Sequence, residues 1–74
     1  MQIEHLVTMA NDISAFFRGA ADEGEAARSV ANHLRRFWDP RMRMQIIDHR
    51  NRGGAGLSEL ANEAVGLLND QPPM

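Results

Sequence analysis

Histidine, arginine and tryptophan have the widest chemical reach in this 74-residue chain, and their spacing decides what that reach is. His5, His33 and His49 lie too far apart in sequence to form the local ligand pair that helices use to grip a metal ion. Cysteine is absent, which removes thiolate ligands, disulfides and any thiol nucleophile. His33 or His49 could take a proton as a general base, yet neither sits in a recognisable pairing, so packing, capping or surface roles are expected of them. No G-x-S-x-G, no H-E-x-x-H and no glycine loop followed by Lys is present. The run Gly53-Gly54-Ala55-Gly56 follows a helical stretch rather than a strand and reads as a helix-stopping loop. No catalytic, cofactor-binding or metal-ligating residue is therefore expected.

The remaining chemistry is cationic and aromatic. All eight basic side chains are Arg, and seven of them (Arg28, Arg35, Arg36, Arg41, Arg43, Arg50 and Arg52) fall between residues 28 and 52, opposed there by only Asp39 and Asp48. Such a cluster invites a nucleic-acid reading in a small helical module. The net charge of −2 and pI near 5.8 oppose it. So does the "WDP" turn, because a helix-turn-helix usually has a glycine-containing turn of three or four residues. Within "LRRFWDPRMRM" (34–44), Trp, Met and Arg form a composition enriched at protein interfaces. Leu34 and Phe37 are expected to point into the core with Phe16 and Phe17. Arg36, Trp38, Arg41, Met42 and Arg43 are expected to face a partner.

Four helical segments would position these residues. From Ile3 to Ala20 the apolar positions Ile3, Leu6, Val7, Ala10, Ile13, Phe16, Phe17 and Ala20 recur at helical spacing, predicting a helix over 3–19. Asp22 and Glu25 form an acidic capping pair for a second, over 23–38. Asp39 before Pro40 reads as an N-cap and first helical position, opening a third helix over 40–52. Gly53 or Gly54 would end it in a left-handed conformation. Ser58 caps a fourth, 58–69, whose stripe is Leu60, Ala61, Ala64, Val65, Leu67 and Leu68, and residues 70–74 read as a frayed tail. The expected fold is all-α: one compact domain, residues 1–74, of four short helices arranged as a bundle or as two helical hairpins.

A core of this size rarely supplies more than about 3–5 kcal/mol, and without disulfides or a metal the staple left is a partner protein. No run approaches a membrane span, and the N-terminal residues read as neither a secretory signal nor a transit peptide, so a cytoplasmic location is expected.

The block "HLRRFWDPRMR" (33–43), with "LVTMANDISAFF" (6–17) before it and "GGAGL" (53–57) and "LANEAVGLL" (60–68) after it, resembles the delta subunit family of NAD-dependent formate dehydrogenases. The likeness covers nearly the whole chain, and "FWDPRMR" is its most specific part. The resemblance implies a non-catalytic accessory subunit of a cytoplasmic bacterial enzyme that oxidises formate to CO2 with reduction of NAD. In such complexes an alpha subunit carries bis-molybdopterin guanine dinucleotide, with molybdenum or tungsten, and iron–sulfur clusters. Beta and gamma subunits carry further clusters and FMN. The alpha subunit is the partner implied, with no nucleic acid and no membrane.

Carried over from that motif, Phe37, Trp38, Asp39, Pro40, Arg41 and Met42 are the matching residues, with His33, Arg36, Gly53, Gly54 and Gly56 as further members. A dissociable maturation chaperone, a nucleic-acid-binding module and a homodimer of the isolated chain stand as the alternatives.

Overall fold

The computed structural model describes residues 2–19 and 22–69, so Ala20 and the expected tail 70–74 lie outside the described residues. Among the described residues there are four helices and no strand: α1 (Ile3–Phe17), α2 (Glu23–Phe37), α3 (Pro40–Asn51) and α4 (Glu59–Asn69). The fold is all-α, as the apolar spacing predicts, and the helix ends fall within two residues of the expected ones.

Each helix start and stop has a local cause. Asp22 Oδ1 accepts from the Glu25 amide at 2.8 Å, and Asp39 Oδ1 accepts from the Met42 amide at 2.9 Å, so both carboxylates cap free amides at a positive helix end. Ser58 Oγ caps α4 by accepting from the Ala61 amide. At the end of α3, Gly53 N–H donates to the Arg50 carbonyl at 3.0 Å and Gly54 N–H donates to the His49 carbonyl at 2.9 Å. This is the paired closure of a Schellman motif, and the φ values of +120° and +67° at Gly53 and Gly54 explain why glycine stands there.

The helices make one bundle rather than two separate hairpins. α2 packs most extensively on α4, and α1 and α4 each pack on the other three helices, whereas the sequence neighbours α2 and α3 touch little. Small residues make the α2–α4 contact close: Ala26, Ala27, Ala31, Ala61 and Ala64 are all buried. The larger core side chains are Leu6, Val30, Leu34, Trp38, Ile46 and Val65. Ser14 is buried as well, and its hydroxyl donates to the Ala10 carbonyl at 2.8 Å, which satisfies it within its own helix.

Polar braces tie the helices together at the surface. Asn11 of α1 donates to the Gly56 carbonyl and accepts from the Ser58 amide, both at 2.9 Å, fixing the α3–α4 link against α1. Arg50 Nε donates to the Asn62 carbonyl at 2.8 Å, and its guanidinium lies across Gly66 of α4, where an added Cβ would stand 2.8 Å from Arg50 Nη2.

Three aromatic placements differ from expectation. Trp38 is 4% exposed and belongs to the core, whereas Phe37 is 70% exposed. The extended backbone at Trp38 (φ −91°, ψ 140°) leaves the helical path and carries the indole into the interior, so Trp38 rather than Phe37 fills the space beyond Leu34. Phe16 is 81% exposed, because at 100° per residue it lies roughly 120° around α1 from buried Ala10. Phe17, close to the Ala10 direction, is half-buried against the core.

Trp38→Ala should cost about 3–5 kcal/mol, most of the stability available to a chain of this size, while Phe37→Ala should stay within about 0.5 kcal/mol of wild type. Thermal melts followed by helical circular dichroism distinguish the two, and equal losses would contradict the packing. Gly66→Ala should be nearly neutral, since improved helix propensity offsets the displaced Arg50–Asn62 bond. A double-mutant cycle with Arg50→Ala should show a coupling of about 0.5–1.5 kcal/mol.

Candidate partner surface

The corner between α2 and α3 decides which of the expected interface residues reach solvent. Trp38 N–H donates to the Leu34 carbonyl at 2.9 Å, Asp39 caps α3, and Pro40 supplies its first residue. Arg43, one turn into α3, then reaches back: its Nη1 donates to the Arg35 carbonyl at 2.9 Å and to the Trp38 carbonyl at 2.7 Å. A guanidinium there satisfies carbonyls at the negative end of α2 and holds the corner closed.

This geometry corrects part of the expected surface. Trp38 is buried, Met42 is half-buried against the core, and Arg43 is half-buried and engaged with the end of α2. Of the expected set only Arg36 and Arg41 are exposed. The structure therefore assigns Trp38 and Arg43 to the corner's own integrity.

The glycine loop is likewise occupied internally. The amides of Gly53 and Gly54 are used by the end of α3, and His49 Nε2 lies 2.7 Å from the Ala55 carbonyl. Gly56, at φ +86°, approaches α1 so closely that an added Cβ would stand 3.3 Å from Val7 Cγ1. Among the described residues no group of three or more His, Asp and Glu side chains is placed to hold a metal ion.

What faces outward is an aromatic row across α1 and α2. The rings of Phe16 and Phe17 meet edge to face at 5.2 Å, as do Phe17 and His33 at 6.2 Å, and His33 and Phe37 lie tilted at 38° with centroids 4.6 Å apart. Phe17 and His33 are half-buried, while Phe16 and Phe37 at the two ends stand in solvent. An open hollow lies on each side of the Phe17–His33 pair, one edged by Asp12 and Ile13, the other by Asn32 and Arg36. The row joins His33 and Phe37 of the expected motif to Phe16 and Phe17, which the sequence reading places in the core. Helical phase at Phe16 is the signal that could have separated it from Phe17.

The family described as NADH-dependent formate dehydrogenase delta subunit FdsD matches residues 5–65, from the first turn of α1 to Val65 in α4. The chain belongs to this delta subunit family. No curated protein and no solved structure matches it. The matched span of the delta-subunit family includes the Trp38–Pro40 corner, the glycine loop and the whole aromatic row. No described helix is long and apolar enough to cross a membrane.

Arg43→Ala should lower stability by about 1.5–3 kcal/mol through the lost charged hydrogen bonds to the α2 terminus, whereas Arg36→Ala and Arg41→Ala should fall within about 0.5 kcal/mol of wild type. Urea denaturation of the three variants measures this difference.

Proposed function

We propose that this chain is a non-catalytic delta subunit of a cytoplasmic NAD-dependent formate dehydrogenase, binding the catalytic alpha subunit within a complex that also holds beta and gamma subunits. Its work there is to support assembly, cofactor maturation or stability of the enzyme that oxidises formate to CO2 and reduces NAD. The observation that carries this reading is the family match over residues 5–65. The bis-molybdopterin guanine dinucleotide with molybdenum or tungsten, the iron–sulfur clusters and FMN belong, in this reading, to the other subunits. The cysteine-free sequence supplies no thiolate for a cluster.

The arginines support a protein partner over nucleic acid. Arg43 and Arg50 donate to backbone carbonyls, and Arg52 pairs with Asp48 at 3.1 Å, so three of the clustered cations already have partners within the chain. Fewer guanidinium donors of the cluster are therefore free to meet phosphates than the sequence suggests.

An affinity-tagged full chain, expressed in its native host, should recover the formate dehydrogenase alpha subunit in stoichiometric amount together with formate-dependent NAD reduction. Recovery of no formate dehydrogenase subunit would refute the assignment. Recovery of only the cofactor-free alpha subunit would replace a resident subunit with a dissociable maturation chaperone.

A further inference from the structure

We propose that the aromatic row Phe16–Phe17–His33–Phe37 is the surface that docks this chain on formate dehydrogenase, and that its occupant is a segment of the enzyme presenting apolar side chains beside carboxylates. This rests on the accessory-subunit reading and adds to it the surface and the partner chemistry.

Phe16 and Phe37 are 81% and 70% exposed. With aromatic side chains of about 150–250 Å² each, they present on the order of 300 Å² of wet apolar surface, the scale at which a patch on a monomer is often functional. The 5.2 Å and 4.6 Å contacts brace the row along α1 and α2, and the 6.2 Å Phe17–His33 contact joins the two helices. Anchors already held in place lose little freedom on binding. The hollows flanking Phe17 and His33 offer seats on both sides of the ridge.

Charge selects the occupant. Arg36 edges the hollow beside Phe37, and neither it nor Arg28 and Arg35 on the same helix forms an ion pair among the described residues. A partner carboxylate opposite Arg36 would complete a charge-assisted, two-point contact next to the apolar seat. A second copy of this chain fits less well: it would set an arginine-bearing face against itself, with Asp12 as the acid edging the row. The two exposed rings also fall well short of the roughly 800 Å² per partner of a standard interface, so they suit the centre of a larger footprint on a bigger protein.

The test compares tagged full-length chains expressed in the native host: wild type, Phe16→Ser with Phe37→Ser, Arg36→Glu, and Met44→Ser. Met44 is 70% exposed and edges neither hollow, so it controls for loss of any exposed apolar side chain. Recovery of formate dehydrogenase subunits should fall roughly tenfold or more for the double variant and for Arg36→Glu, and stay at wild-type level for Met44→Ser. The Phe and Met variants should melt close to wild type because the exchanged side chains lie largely in solvent, and Arg36→Glu should melt only slightly lower, since it places a carboxylate at the negative end of α2 but leaves the core untouched.

Wild-type recovery by the double variant, or an equal loss with Met44→Ser, would overturn the proposed surface while leaving the accessory-subunit reading intact. A dimer in sedimentation that only the double variant dissolves, with enzyme recovery unchanged, would make the occupant a second copy and overturn it too. Failure of the wild type itself to recover any subunit would remove the accessory-subunit reading and the docking surface together.

Discussion

Pro40 has no amide to donate and denies Asp39 the helical conformation, so α2 must end and α3 begin within the two residues Trp38 and Asp39. The rest of the structure depends on how that constraint is met. Trp38 keeps one last bond to the Leu34 carbonyl, turns extended, and carries its indole into the interior. Asp39 caps the next helix, and Arg43 returns to the carbonyls that α2 leaves open. Because α2 and α3 diverge at this corner, α4 can pack against both and α1 can pack against all three.

The helices were legible because their causes are local. Apolar residues at three- and four-residue spacing, Asp22, Asp39 and Ser58 at helix starts, and glycines after α3 each act within a few positions of themselves. The choice between Phe37 and Trp38 was not local. Spacing puts Phe37 near the buried edge of α2, but a backbone that leaves the helix at the next residue gives the interior to Trp38. Arg43 was equally hidden: an arginine read as surface charge becomes a cap only once three-dimensional folding brings it to the end of another helix. Within the row, His33 and Phe37 stood out in sequence only as motif residues; Phe37 and Phe16 were expected in the core and stand in solvent, while Trp38 and Arg43, expected at a partner surface, turn inward to the corner.

Folding also divides an arginine cluster that looks uniform in sequence. Arg43 closes the corner, Arg50 braces α4 across Gly66, and Arg52 pairs with Asp48 along α3. Arg28, Arg35, Arg36 and Arg41 are exposed with no ion pair among the described residues; three of them lie on α2, and Arg36 edges the hollow beside the aromatic row. Neighbouring cations and rings on one face favour recognition of a surface that is both apolar and acidic.

Of the fourteen buried hydrophobic side chains among the described residues, six are alanine; five of these let α2 and α4 approach closely, and all six remove little apolar area from water. Stability then rests on a few larger groups, above all Trp38, Leu6, Leu34 and Ile46. Phe16 and Phe37 could have enlarged that core, yet they stand outside it on a row aligned across two helices. Any protein that covers the row binds the folded state and not the unfolded chain, so its binding free energy adds to folding stability. If a partner covers the row as proposed above, two large aromatics placed outside a thin alanine core couple folding of the subunit to its assembly, the partner supplying burial that the chain alone does not.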